Sequence, residues 1–177
     1  KMAPTTPLLS PYMKKGQNFL GVDLPIICGA MSSISERHLV SAVAHAGGFG
    51  VLAGGGLSGE KLNEEINATR NMTDRPFGVN LIIQDQYFSE QFKVALKAPP
   101  EIVVLAAAIP DNKLIKAAKE AGKKVMCFAP SLTVANILID QGADALIIEG
   151  SEAGGHIGTN TTLTLIQEVL LQMDNIP

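Results

Sequence analysis

The stretch Ala145-Leu-Ile-Ile148-Glu149-Gly-Ser-Glu-Ala-Gly154-Gly155-His156-Ile-Gly158 has the strongest pattern in the chain. Its first four residues are apolar and predict a short buried strand. A carboxylate, two adjacent glycines and a histidine follow, and a helix is predicted over about 162–173. Polar and titratable residues after the carboxyl end of a buried strand are typical of ligand sites in α/β proteins.

The same order of strand, loop and helix recurs along the chain. Strands are predicted to begin near residues 25, 49, 77, 102, 124 and 145, and a helical segment follows each. This alternation predicts a parallel sheet covered by helices. Two architectures fit, a doubly wound open sheet and a (β/α)8 TIM barrel, and the nearly even spacing favours the barrel.

A complete barrel needs eight strands and about 250 residues. We therefore expect residues 24–177 to form about six βα units of a barrel, ending before a seventh strand. Residues 1–23 contain several prolines and show no apolar periodicity, so they are predicted to be an N-terminal arm that packs on the surface. The first helix is predicted over 35–46, with Ser33 or Ser35 as its cap.

Composition excludes some classes of function. The chain has 177 residues, a net charge of −3 and no basic stripe, so neither nucleic acid nor an anionic membrane is an expected partner. Its longest apolar run, 102–109, is far shorter than the ~20 residues of a membrane span.

Neither the cysteines nor the histidines have the spacing of a disulfide framework or a metal site. Cys28 and Cys127 lie in apolar strand-like runs, which predicts buried thiols in a reducing cytoplasm. His38 and His45 lie on the first helix, where a structural role is expected. His156 is the sharpest catalytic candidate, because a pKa near ~6.5 suits proton transfer or the holding of an anion.

Three further positions are candidates, each with an alternative. Gly29 would let a ligand approach the backbone after the first strand, but a tight turn with Met31 as core filler also fits. The amide of Asn80 could bind a ligand or brace a loop. Glu149 ends an apolar run, so it must be paired, hydrogen-bonded or functional. One of Glu149 and Glu152 is expected to be merely solvated.

Together these segments resemble the nitronate monooxygenase (2-nitropropane dioxygenase) family, which includes the flavin-dependent enoyl-acyl-carrier-protein reductases. The resemblance runs from about Leu24 to Pro177, and its most specific part is the glutamate-alanine-glycine-glycine-histidine run. The segments that carry it are Pro25-Ile26 with Gly29-Ala30-Met31, Ala46-Gly-Gly-Phe-Gly50, Pro76-Phe-Gly-Val-Asn80 and Glu149 to His156.

The resemblance implies a barrel that carries noncovalent FMN at the carboxyl ends of its strands. It implies that His156 is the catalytic histidine beside the flavin. In the family, loops after the next strands hold the FMN phosphate, and these would lie beyond Pro177. The cofactor-binding residues that it implies are Gly29, Ala30, Met31, Asn80, Glu149, Gly154 and Gly155.

The reaction that the resemblance favours is oxidation of alkyl nitronates with O2. Many nitronate monooxygenases have glutamine at the position of Glu149, and the glutamate looks more like the reductases. A flavin-dependent enoyl-acyl-carrier-protein reductase that uses NAD(P)H is therefore an alternative. A third hypothesis is an inactive partial barrel that serves only in assembly, because unpaired sheet edges favour association, including a homo-oligomer.

Overall fold

The fold, seen in a computed structural model that describes residues 10–155 and 157–173, is a parallel sheet flanked by helices. The elements, in chain order, are α1 Ser10–Leu20, β1 Ile27–Cys28, α2 Arg37–His45, β2 Phe49–Ala53, α3 Gly59–Met72, β3 Phe77–Ile82, α4 Phe88–Lys97, β4 Ile102–Ala106, α5 Asn112–Glu120, β5 Lys124–Ala129, α6 Leu132–Asp140, β6 Ala145–Ile148 and α7 Thr162–Leu170.

The order of the strands decides between the two predicted architectures. The described sheet has six strands in the order β1-β2-β3-β4-β5-β6, and each pair is parallel. A doubly wound sheet reverses direction at a switch point in its strand order, whereas a barrel adds each strand beside the last. The prediction of about six βα units of a (β/α)8 barrel is confirmed.

Both faces of the central strands, β2 to β5, are largely buried, which explains why these strands are mostly apolar runs. Alternate residues of β4 show the division. Val103 and Leu105 pack in a cluster under the helices, whereas Ile102 and Val104 pack in a second cluster on the inner face of the barrel. The inner cluster leaves the carboxyl ends of the strands uncovered, and the cavity described below opens there.

The helix caps are mostly local in origin. Ser58, Asp111, Ser131 and Thr161 each accept a hydrogen bond from a main-chain N–H of the helix that follows. The predicted cap of α2 is wrong, because Glu36 occupies the N-cap and its carboxylate accepts from the N–H groups of His38 and Leu39. A carboxylate there also interacts favourably with the helix dipole.

The described part of the predicted surface arm begins with a helix, and two of its residues are buried. The structure has the helix α1, and Leu20 and Val22 after it are buried in the inner cluster. Their partners include Phe49 and Ile102, the first residues of β2 and β4, so the segment covers the amino end of the barrel interior. The Lys124 ammonium donates to the Phe19 carbonyl and strengthens this attachment.

The two cysteines differ. Cys127 is buried in β5, as predicted, whereas Cys28 is only half-buried because β1 lies at an edge of the described sheet. Burial raises the pKa of Cys127 to about 12, so its thiol stays protonated near neutral pH and is a poor nucleophile. None of the helices in the described ranges has the length and apolar character that a membrane span requires.

Candidate functional site

A cavity of about 1030 Å³ opens at the carboxyl ends of the strands. Residues from the ends of five strands line it: Ala53, Ile82, Ala106, Phe128 and Ile148. The loops that follow the strands form the rim. This is the end of a barrel at which ligand sites are built, because loops can vary there without disturbing the packed interior.

All of the cofactor-binding residues predicted from the sequence line this one cavity: Gly29, Ala30, Met31, Asn80, Glu149, Gly154 and Gly155. They come from the loops after β1 and β6 and from β3 itself. The predicted catalytic residue, His156, lies outside the described residues. Its neighbours Gly155 and Ile157 both line the cavity.

The loop after β1 is held in place by Ser35. This residue is 2% exposed, and its hydroxyl donates to the Gly29 carbonyl and accepts from the Met31 N–H, both at 2.9 Å. Met31 is 44% exposed, so the alternative that it is core filler is wrong. A Cβ on Gly29 would meet nothing within 4 Å, so no packing contact among the described residues accounts for glycine there.

Replacing Ser35 with alanine tests the loop. The change leaves the Gly29 carbonyl and the Met31 N–H without their shared partner, so we expect the free energy of unfolding to fall by about 1–3 kcal/mol. Urea denaturation monitored by circular dichroism measures it. Ser33→Ala, which removes an exposed hydroxyl two residues away, is the matched control and should change little. An equal loss in both variants would contradict the role given to Ser35.

Asn80 lies on the inner face of β3, because its neighbours Val79 and Leu81 pack in the cluster under the helices. It is 8% exposed and lines the cavity. The alternative role, bracing a loop, is carried by its main chain, since its carbonyl accepts from the Gly54 N–H at 2.9 Å. The side chain of Asn80 therefore contributes an amide to the wall of the cavity.

The glycine-rich loop after β2 forms the adjacent wall, and side chains from the β3–α4 region hold it. Gln91, which is fully buried, donates through Nε2 to the carbonyls of Gly54 and Leu57 at 2.9 and 2.7 Å. Asp85 accepts from the Gly56 N–H at 2.6 Å. Sequence reasoning identified this loop but did not assign it to the site, and Gly55 lines the cavity.

The segment after β4 was also missed. Ala107, Ala108 and Ile109 are exposed and line the cavity, and Ala107 has a φ of 70°, a left-handed conformation that costs a residue with a Cβ about 1 kcal/mol or more. The sequence feature that indicates this segment is the length of the apolar run that contains it. The apolar run from Ile102 continues past the five residues of β4, so its last part cannot be strand.

The carboxylates after β6 have different surroundings. Glu149 is half-buried and lines the cavity. Glu152 is exposed but not merely solvated, because its carboxylate accepts from the Thr162 N–H at 2.7 Å and the Thr162 hydroxyl at 2.8 Å. These hydrogen bonds favour the charged form and hold the pKa of Glu152 below its usual value.

The lining is otherwise nearly free of charge. Among the described residues, Glu149 is its single carboxylate, and the lining contains neither lysine nor arginine. Within residues 10–155 and 157–173, no group of three or more His, Cys, Asp or Glu side chains could hold a metal ion. The described wall therefore suits an uncharged, largely apolar ligand surface with a polar edge.

Comparison with known proteins assigns the chain to a family. The sequence profile of the nitronate monooxygenase family matches residues 14–95 and 83–177. This chain belongs to the nitronate monooxygenase family. The matched ranges include the predicted cofactor-binding residues and His156.

Relatives within and around the nitronate monooxygenase family share both sequence and fold. FabK from Thermotoga maritima superposes with a TM-score of 0.85 and 37% identity, over 91% of this chain and 51% of that one. A nitronate monooxygenase from Paraburkholderia phytofirmans is 28% identical over 78% of this chain and 48% of its own length.

A third relative, from Mycobacterium tuberculosis, is named (3aS,4S,5R,7aS)-5-hydroxy-7a-methyl-1-oxo-octahydro-1H-indene-4-carboxyl-CoA dehydrogenase. It is 32% identical over 85% of this chain and 42% of its own length. The chain thus spans less than half the length of these curated relatives.

Proposed function

We propose that the protein is an FMN-dependent oxidoreductase of the nitronate monooxygenase type, which oxidises alkyl nitronates with O2. The observation that carries the proposal is the convergence of Gly29–Met31, Asn80 and Glu149 with Gly154 and Gly155 on one cavity. These residues are far apart in the sequence. The resemblance predicts them as cofactor contacts, and the parallel sheet brings them together.

The cavity fits the ring part of FMN. Its volume of about 1030 Å³ is ample, since pockets for small ligands are typically ~300–1,000 Å³. Val104, Met126 and Phe128 supply an apolar floor, and exposed glycine backbone supplies hydrogen-bonding groups at the rim. The described lining has no cationic side chain, so this wall suits the ring rather than the phosphate.

FMN, when bound, supplies the redox chemistry that protein side chains lack. The chain's own residues supply binding and proton transfer. The Asn80 amide would hydrogen-bond the polar edge of the ring, and the backbone of Gly29 and Gly154 would lie along it. His156 would remove a proton from a nitroalkane or hold its anion, as a base with a pKa near ~6.5 can do at neutral pH.

The first experiment is addition of FMN to the purified chain. We expect the flavin absorbance band to shift and the flavin to co-elute with the protein on gel filtration. We also expect O2 to be consumed when an alkyl nitronate is added. Protein that retains no flavin at any FMN concentration would contradict the proposal and would favour a partial barrel that serves only in assembly.

A second candidate, reduction of an enoyl thioester with NAD(P)H, is favoured by one specific observation. Glu149 places a negative charge in a cavity whose described lining has no positive side chain, and such a charge opposes binding of a nitronate anion. The Mycobacterium tuberculosis relative is named as a carboxyl-CoA dehydrogenase. NAD(P)H oxidation with an enoyl thioester, measured beside O2 consumption with a nitronate, separates the two reactions.

Glu149→Gln tests which charge the site accepts. At an effective dielectric constant of ~20 and a separation of ~10 Å, removing the carboxylate favours an anionic substrate by about 1–2 kcal/mol, or about tenfold in KM. Steady-state kinetics with an alkyl nitronate and with the corresponding uncharged nitroalkane measure this difference. Glu120→Gln, the same change on an exposed part of α5, is the control. An unchanged KM for the nitronate would place the substrate away from Glu149.

A further inference from the structure

The loop after β6 is closed at its neck by main-chain hydrogen bonds. The Gly158 N–H donates to the Gly150 carbonyl at 3.1 Å, and the Ser151 N–H donates to the Asn160 carbonyl at 2.8 Å. The two ends of the loop therefore lie side by side. The tip of this loop, including Gly154, Gly155 and Ile157, lines the cavity.

The tip has little packing of its own. Gly154 and Gly155 are exposed, and a Cβ at either position would meet nothing within 4 Å. Gly155 has a φ of 86°, which a residue with a Cβ rarely adopts. Because glycines are the most flexible residues in a chain, the position of the tip must be set by contacts elsewhere in the loop.

One side chain supplies such a contact. The Oε2 atom of Glu152 accepts from both the N–H and the hydroxyl of Thr162, at 2.7 and 2.8 Å. Thr162 is the first residue of α7, a helix anchored in the core by Leu165 and Val169. The carboxylate therefore ties the loop to a fixed element rather than to another part of the loop.

The neck is also shaped for this contact. A Cβ on Gly150 would overlap the main-chain nitrogen and the hydroxyl of Thr162, so the loop can approach the start of α7 only with glycine there. Gly150 is buried, while Glu152 is exposed and lies outside the cavity lining. Glu152 is thus placed to act on the tip and not on a ligand.

We propose that Glu152 is a positioning residue, a latch that fastens the loop after β6 to Thr162 and holds Gly154, Gly155 and Ile157 at the cavity. Its importance for the reaction rests on the proposed function, because that function assigns proton transfer to His156, which follows Gly155 in the sequence. The latch itself is a property of the fold and can be tested without flavin.

The decisive variant is Glu152→Ala, examined by amide hydrogen exchange in the full chain. We expect exchange over residues 153–158 to be at least tenfold faster, with the melting temperature within about 2 °C of the parent value. Thr162→Ser, which keeps both donors, should behave like the parent protein. Glu168→Ala, an exposed glutamate on the same helix, is the matched control.

A second measurement uses the flavin-loaded protein. Because a displaced tip lowers the fraction of productive complexes, Glu152→Ala should lower kcat about tenfold with little change in KM. Thr162→Ser should retain the parent kcat. An equal fall in kcat for Glu168→Ala would indicate that α7 has only a structural role and would overturn the proposal.

Exchange over 153–158 that is unchanged in Glu152→Ala would also overturn it, as would faster exchange along the whole of α7. A chain that binds no flavin but shows faster exchange confined to the tip would support the latch while contradicting the proposed function. The two proposals can therefore fail separately.

Discussion

Replacing His156 with glutamine is expected to lower kcat by about 10²- to 10⁴-fold while FMN stays bound. This is the usual contribution of a positioned general acid or base. Glutamine has a similar size and can still form hydrogen bonds, but it cannot accept a proton near neutral pH. Steady-state kinetics on the flavin-loaded protein, with the flavin content measured by absorbance, test the prediction.

The matched control for His156 is His38→Gln. His38 is 74% exposed on α2, so its replacement should leave kcat within about twofold. A His156→Gln variant with near-parental kcat would show that His156 is not the proton-transfer group. Loss of bound flavin together with activity would instead assign His156 to cofactor binding.

Phe77→Ala is expected to lower the free energy of unfolding by about 3–5 kcal/mol, the usual cost of deleting a buried aromatic side chain. Phe77 is fully buried at the start of β3, a strand with neighbours on both sides. The Arg70 guanidinium lies 4.8 Å from the centre of its ring, and alanine would also lose this cation–π contact. Urea denaturation measures the change.

Phe128→Ala is the matched control for Phe77. Phe128 is only partly buried and faces the cavity, so water can fill the space left by its ring and a smaller loss is expected. If Phe77→Ala lowers the free energy of unfolding by less than about 1 kcal/mol, the cluster under the helices can close around the space left by the ring. Equal losses of unfolding free energy in both variants would contradict the larger stabilising role that burial gives to Phe77.

Much of the site follows from one property of parallel sheets. The carboxyl ends of all strands meet at the same edge, so residues that follow different strands become neighbours whatever their distance in the chain. Gly29 and Glu149 are predictable on this ground, because each directly follows an apolar run that the pattern identifies as a strand, and Asn80 is the polar residue within another such run. The structure places all three on one cavity.

Contacts between loops are harder to predict, because they depend on distances that no local pattern specifies. Serine is a common helix cap, yet the Ser35 hydroxyl bridges the Gly29 carbonyl and the Met31 N–H. Glu36 caps the helix instead. In the sequence nothing distinguishes Glu152 from other exposed glutamates, because its partner Thr162 is ten residues away and comes beside it only in the folded chain. Hydroxyl and carboxylate groups have several potential partners, and the fold selects among them.

Apolar spacing and glycine positions are enough to determine the strand–helix units, the parallel sheet and the end at which a ligand site forms, since each follows from periodicity within a short segment. Tertiary structure alone decides that residues after α1 cover the amino end of the barrel, that Ala107 adopts a left-handed conformation, and that Glu152 ties the loop to α7. These depend on surfaces that meet only after the chain has folded, and burial and hydrogen bonding across those surfaces override the local preference of each residue.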